Sequence, residues 1–349
     1  LNILVTGGAG YIGSVVVEEL IHQGHRVVVL DNLQQGHREA VHPMAVFIQG
    51  DLADCKLLDH VFSTVDIDAV FHFAAEALVG GSNTNPQGYF HNNLRNGLNL
   101  LDAMLMHGVK RMIFSSTAAI YGEPDSVPIP EEALPRPINV YGESKLMFEK
   151  ITNWYHRAYD FKVAAFRFFN VAGASNRCGE HHTPETHLIP SALKAAQGFQ
   201  DHIQIFGADF DTPDGTCIRD YLHIVDVAQA HISALPHLDS IGWRAYNIGN
   251  GNGFSVFEVI EAARRVTGKK IEVKIAPRRA EDPARLVASS ERIRRELSWQ
   301  PKYPDLESMI DSAWRWSLKH PHGYTPAETA TQPTDAVTSV RRTLLPLIP

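Results

Sequence analysis

The chain has 349 residues, 44% hydrophobic and 20% charged, which reads as a soluble globular protein of one large or two ordinary domains. Its formal net charge of −7 argues against nucleic acid as a partner, because phosphate binding needs a basic surface. Cys55, Cys178 and Cys217 are too few and too scattered for a disulfide framework, which points to a reducing compartment.

Asn2 to Thr6 is a short apolar run closed by glycines, and Tyr11 to His22 has helical spacing. The opening residues enter a strand pattern at once, with no charged leader or cleavage site. Arg26 to Leu30 is a second apolar run closed by Asp31, and Val46 to Ile48, Ala69 to Phe73 and Arg111 to Phe114 are further short strand candidates. The apolar stretch from Ala69 to Gly81 is interrupted by His72 and Glu76 and is too short to span a bilayer, so no membrane is expected and the cytoplasm is the default. A helical segment covers about Asn92 to His107, another carries Tyr141, and Val163 to Phe168 is the next strand candidate. Strands alternating with helices predict an α/β fold: a doubly wound parallel sheet of the Rossmann type, with ligand at the carboxyl ends of the strands.

Beyond Val171 the rhythm loosens. Gly173 to Pro190 reads as loop. Strand candidates follow at Ile203 to Phe206, Ala245 to Ile248 and Ile271 to Ile275, and helices near Pro190 to Gly198, Val225 to Leu235, Val256 to Thr267 and Ser308 to Lys319. The expected organisation is a cofactor domain over 1–172, a smaller mixed α/β substrate-binding domain over 173–323 with segments that cross back, and a flexible tail over 324–349.

Gly7, Gly8, Gly10 and Gly13 join the first strand to the first helix and fit two spacings of a dinucleotide-binding turn. Missing β-carbons let a pyrophosphate approach the backbone, and the helix N-terminus offers N–H groups from Tyr11, Ile12 and beyond. Asp31 closes the second strand, where a carboxylate accepts hydrogen bonds from a ribose diol and repels a 2′-phosphate; this favours NAD over NADP. Asp51 and Leu52, after the third strand, are candidates for the adenine edge.

Tyr141 and Lys145 lie four apart, sharing a helix face. A phenol holds its proton near neutral pH, and a neighbouring ammonium favours phenolate, so the pair suits a general base acting on a hydroxyl. Ser115, Ser116 and Thr117 end the preceding strand, with hydroxyls expected to point into the crevice.

Together the glycine turn, Asp31, Thr117, Tyr141 and Lys145 resemble the extended short-chain dehydrogenase/reductase superfamily. Within it the chain is similar to the nucleotide-sugar 4-epimerases. The resemblance is carried by Leu4 to Gly13, Leu30-Asp31-Asn32-Leu33, Phe114 to Gly122, Arg167-Phe168-Phe169-Asn170 and the run Asp214 to His223. Sugar-nucleotide dehydratases of the superfamily carry an acid just after the catalytic Thr or Ser; here the residues are Ala118 and Ala119. The resemblance implies reversible oxidation at the sugar C4 through a 4-keto sugar, on UDP-glucose and UDP-galactose. Acetylated UDP-hexosamines, UDP-pentoses or UDP-uronates are alternatives, and a non-catalytic dinucleotide sensor is a rival of another class.

The resemblance also extends the cofactor set to Asn32, Phe73, Ala74, Ala75, Asn93, Ser115 and Phe169. It places Asn170, Leu188, Gln204, Phe206, Arg219, Arg279 and Asp282 around UDP, with the two arginines as pyrophosphate ligands. His187 stands where a substrate-contacting asparagine is common, and Leu286 beside the sugar C2. A homodimer is implied through the helices near Asn92 to His107 and Tyr141 to His156, with Leu98, Leu101, Met147 and Phe148 as candidate contacts. His181, His182 and His187 lack acidic or cysteine partners at a recognised spacing, so no metal is expected.

Overall fold

The computed structural model describes residues 1–279 and 282–325, with only the backbone of Val79. The first part of the chain runs β1 (Asn2–Thr6), α1 (Tyr11–His22), β2 (Arg26–Asp31), β3 (Val46–Gln49), α2 (Cys55–Thr64) and β4 (Ala69–His72). Two short helices, α3 (Val79–Ser82) and α4 (Pro86–Phe90), lead into α5 (Asn96–Met106), β5 (Arg111–Thr117), α6 (Val140–Tyr159) and β6 (Lys162–Phe168). The remainder is β7 (Asn170–Ala172), α7 (Leu188–Ala196), β8 (Ile203–Phe206), β9 (Ile218–His223), α8 (Ile224–Ser233), α9 (Leu238–Ile241), β10 (Trp243–Ile248) and β11 (Gly253–Ser255). It ends with α10 (Val256–Thr267), β12 (Val273–Ala276), β13 (Arg285–Leu286), α11 (Glu291–Leu297) and α12 (Leu306–Lys319).

One seven-stranded sheet has the order β10-β6-β5-β4-β1-β2-β3, every neighbour pair parallel. The strand order reverses beside β1, which places the crevice at the ends of β1 and β4. Alternation along β1 divides the core: Ile3 and Val5 pack with residues of α1 and α8 such as Val15 and Val227, while Leu4 packs with Leu58 of α2 and Leu100 of α5. The doubly wound expectation therefore holds.

The helix expected over Asn92 to His107 begins with a π-helical turn at His91–Arg95 before α5. Leu101 and Phe148, two of the candidate dimer contacts, are fully buried in the core, whereas Leu98 and Met147 are half-buried. The strand read at Ala245 to Ile248 belongs to the large sheet: β10 runs parallel to β6, with Tyr246 opposite Phe166.

The rest of the later strands form two small sheets. In one, β9 pairs with β7 and β13 in parallel and with β11 antiparallel; in the other, β8 pairs with β12. Helices α7, α10 and α12 cover them, around Leu193, Ile260 and Ile310. Tyr324, expected in the tail, is packed: its ring stacks on His37 with centroids 4.9 Å apart, and its hydroxyl lies 3.0 Å from the Gly179 N–H it accepts. The rest of the expected tail, 326–349, lies outside the described residues.

Candidate active site

The turn between β1 and α1 separates the jobs of its glycines. Gly7 has φ +74°, and a β-carbon there would sit 2.5 Å from the Ala74 nitrogen; one on Gly13 would sit 2.1 Å from the Gly7 oxygen. Both are required by the protein's own packing. Gly10 differs: a β-carbon there would meet nothing nearer than the Gly7 oxygen, at 3.4 Å. The room at Gly10 opens at the N-terminus of α1, which no side chain caps. Uncapped N–H groups beside open backbone suit a pyrophosphate, so the turn fits a dinucleotide on structural grounds.

Asp31 shapes the same turn. Its Oδ2 accepts the Ala9 N–H at 2.9 Å and its Oδ1 the Leu33 N–H at 2.8 Å. Burial raises its pKa, and the two backbone N–H groups oppose that rise. Gly7, Gly10, Asp31, Asn32, Asp51, Leu52, Phe73, Ala74 and Ala75 line one cleft at the strand ends. Asn32 donates across it to Asp51 Oδ2 at 2.7 Å. The sequence reasoning missed Gln34, which bridges the cleft mouth to Glu76 Oε1 at 2.8 Å, and Asn96, which donates to Asp51 Oδ1 at 3.2 Å. Asn93 is a strut: it donates to the Glu76 carbonyl at 3.1 Å and to Ser144 Oγ at 2.9 Å, and accepts the Glu76 N–H. Tyr11 is also tied, its hydroxyl donating to the Gly173 carbonyl at 2.7 Å, and Ile12 packs on the core.

The chemical end is built by β5 and the start of α6. Asn139 caps α6 by accepting the Gly142 N–H at 2.8 Å. Gly142 lets this first turn approach β5's exit: a β-carbon there would lie 2.5 Å from the Ala119 oxygen. That close approach brings Tyr141 near Thr117, whose hydroxyl lowers the pKa of the phenol. Thr117 Oγ1 accepts the Ala119 N–H at 3.1 Å, which orients the hydroxyl. Gly142 was a readable signal, since a glycine inside a helix start costs stability unless a neighbour needs the space.

Lys145 Nζ donates to the Ser115 carbonyl at 2.8 Å and lies 6.0 Å from the Tyr141 ring centroid. Both side chains are buried. Burial pushes the Tyr141 phenol up to about 12, partly opposed by the Thr117 hydroxyl, and brings Lys145 down to about 7. The expected phenolate is thus not the resting state: burial outweighs the ammonium until more positive charge arrives.

Ser116 departs from expectation. It is fully buried, and its hydroxyl donates to Glu149 Oε1 at 2.5 Å instead of entering the crevice. Arg167 binds both oxygens of the same carboxylate, at 3.0 and 2.7 Å, and donates to the Tyr121 hydroxyl at 2.8 Å. This buried network fastens α6 to β5 and β6 behind Tyr141. An arginine inside a strand and a glutamate two turns beyond Tyr141 were its only local signs.

Of the residues expected around UDP and the sugar, Arg219 on β9 pairs with Asp282, and Leu286 on β13 lies in register beside it. Leu286 packs on the cluster of Ala118, Tyr121 and Phe169, which brings this strand to the exit of β5. The Arg279 guanidinium stacks 4.0 Å over the Phe206 ring, Gln204 is exposed on β8, and Asn170 sits opposite Tyr221. Asp220 is structural: it accepts N–H groups of Asn250, Gly251 and Ala288 at 2.9, 3.0 and 3.1 Å, tying three segments together.

His187 precedes Leu188, the first residue of α7, and its Nδ1 lies 2.7 Å from Glu180 Oε1 and 2.9 Å from Glu185 Oε1. Burial alone would lower its pKa, but the two carboxylates push it up to about 10. The fold thus supplies the acidic partners that the histidines lacked in the linear pattern.

Residues 3–249 match the sequence profile of the NAD dependent epimerase/dehydratase family. The chain belongs to that family.

Among its epimerase relatives, a UDP-glucose 4-epimerase of Halalkalibacterium halodurans is 52% identical over 327 residues, 93% of this chain and 98% of the relative. A crystal structure of a UDP-glucose 4-epimerase superposes with a TM-score of 0.91 at 49% identity, covering 93% of this chain and all (100%) of the other. Another, from Bifidobacterium longum in complex with NAD+ and UDP, gives a TM-score of 0.88 at 36% identity, covering 93% and 100%. Among the described residues no helix is long and apolar enough to cross a membrane.

Proposed function

We infer that the chain interconverts UDP-glucose and UDP-galactose by reversible oxidation at the sugar C4, with NAD held in the cleft at Gly10 and Asp31. The observation that carries this reading is the closed set of Thr117, Tyr141 and Lys145 at the exit of β5, beside a cofactor turn with room for a pyrophosphate. The chemistry that bound NAD supplies is reversible acceptance of a hydride at C4.

The chain's own residues do the rest. Tyr141 takes the 4-OH proton and returns it, with Thr117 fixing the direction of the phenol. Lys145, anchored to the Ser115 carbonyl, places positive charge near the phenol and favours its ionised form. Ala118 and Ala119 put no acid beside Thr117, which suits epimerisation over elimination, where a leaving group needs a proton. Arg219 and Arg279 hold the UDP pyrophosphate while the hexose turns between its two faces, so binding of the non-reacting part retains the keto sugar. The same reading pairs two copies through α5 and α6.

The test is to incubate the purified protein with UDP-galactose and no added NAD, and to follow UDP-glucose by chromatography. Conversion supports both the reaction and a resident cofactor. Absence of conversion even after NAD is supplied would overturn the reading in favour of a sensor.

A further inference from the structure

The loop between β7 and α7 carries Glu180, His182, Glu185 and His187, none of which belongs to the catalytic set. One ligand atom from each lies within 4.8 Å of all the others. His182 Nδ1 is 3.2 Å from Glu180 Oε1, and His187 Nδ1 contacts one oxygen of each glutamate. The glutamate side chains are only 7% and 5% exposed, so two carboxylates have been taken out of water together. Among the described residues their ion-pair partners are imidazoles alone, with no lysine or arginine. Burying two like charges is costly unless a cation joins them; the His187 ring bridges both carboxylates, and a metal ion would take the place of the proton on its Nδ1.

We infer that these four side chains form a binding site for a divalent transition metal, zinc by its donor set. Two carboxylate oxygens and two imidazole nitrogens suit a tetrahedral ion with bonds of about 2.0–2.2 Å. Donors around such an ion lie roughly 3.3–3.6 Å apart, which follows from that bond length and tetrahedral geometry. The present spacings bracket that value, so the ion enters with small side-chain shifts. A dication exactly balances the two carboxylates and leaves the buried cluster neutral.

The supporting contacts fit a built site. The His187 N–H donates to Glu185 Oε1 at 2.8 Å, fixing that carboxylate at the start of α7. His182 packs edge-on against Tyr11, centroids 6.3 Å apart, and Tyr11 in turn holds the Gly173 carbonyl. The metal is therefore structural: it pins the loop between β7 and α7, which packs on Tyr11 at the start of α1. It takes no part in hydride or proton transfer.

The test uses the full chain produced in zinc-supplemented medium and gel-filtered. Elemental analysis should find about one zinc per chain, and X-ray absorption should show nitrogen and oxygen ligands without sulfur. Adding zinc chloride to chelator-stripped protein should raise Tm by several degrees, as expected for a ligand that binds only the folded state. Glu185→Gln/His187→Asn should lose both the zinc and the shift; the single substitution His182→Gln serves as the second variant if that one misfolds. Less than a tenth of an equivalent of zinc in the unaltered protein, with no Tm shift, would overturn the site. So would equal retention of zinc by the variants, which would assign it to other members of the 18 histidines. An equal shift with magnesium chloride would overturn the transition-metal assignment.

Discussion

The turn proposed to hold the cofactor and the side chains proposed to hold the substrate are built in opposite ways. The first relies on backbone: a left-handed glycine, an open position at Gly10, and an aspartate that ties the turn at Ala9 to the end of β2 at Leu33. The side proposed to hold the substrate relies on side chains from separate segments, and those side chains engage one another: Arg219 with Asp282, Arg279 with Phe206. A backbone cradle is ready before its ligand comes. A set of mutually satisfied side chains must exchange partners when a ligand enters, so its energetics are graded. Changes on the first side should therefore act nearly all-or-none, and changes on the second by modest factors.

The largest test lies where the two sides meet. Tyr141→Phe removes the proton acceptor and leaves the ring packed; kcat should fall by roughly 10²–10⁴, the usual range for a positioned acid–base group, with cofactor content unchanged. An undiminished rate would sink the catalytic assignment. Next is Gly10→Ala, whose β-carbon enters the open position and meets nothing nearer than the Gly7 oxygen, at 3.4 Å. Cofactor retained through gel filtration should fall by at least about tenfold, while Tm without cofactor changes by less than about 2 °C, as for a substitution that disturbs no packing. A large Tm loss would mean that Gly10 is structural like Gly13, and the contrast between the two glycines would disappear.

The pH profile follows. With Tyr141 at about 12 and Lys145 at about 7, the pair holds one proton between those values and two below 7. Below 7 the pair carries both protons and the ionised phenol is lost, so kcat should fall on the acid side, about tenfold per unit once well below the inflection. The stability sign agrees: Lys145 binds fewer protons folded than unfolded between about 7 and 10.5, so its contribution to stability rises with pH across that window. Urea midpoints at pH 7 and 9 for the unaltered protein and Lys145→Met check it; equal pH dependence in both would remove Lys145 as the cause.

On the substrate side, Arg219→Ala should raise KM for the UDP-sugar by about tenfold, as for loss of a hydrogen bond to a charged group, with kcat within about threefold. Asp282→Asn should act least. It releases Arg219 from its partner and should change KM by less than about threefold, within the range of a partly exposed pair. A larger effect would show that the ion pair, not the ligand, sets the guanidinium's position.

The same contrast explains what could be read in the sequence. The turn from Thr6 to Gly13 and the Tyr141–Lys145 pair are local patterns, with spacings fixed by one strand, one turn or one helix. The substrate strands are short and hold their places through distant partners. Ile218–His223 has no polar/apolar alternation, and Arg219, Asp220 and His223 are all buried; Asp220 finds its N–H donors on the distant Asn250, Gly251 and Ala288. Leu286 belongs to a two-residue strand that exists only through its pairing with β9. Ser116 was misread because its partner Glu149 lies on the next helix, and Glu180 and Glu185 went unnoticed because the loop that folds them onto His182 and His187 has no period. What rests on chain separation rather than on spacing leaves little mark on a linear text.

The return of β10 to the large sheet has a consequence for recombination among relatives. A fragment ending at residue 172 would leave Lys162–Phe168 as a bare edge and strip Tyr246 from Phe166, whose rings stack 5.6 Å apart. The two halves are sewn together and not merely joined end to end. A chimaera meant to exchange sugar preference must keep the parental stitch from Trp243 to Ile248 while replacing the segments on either side of it.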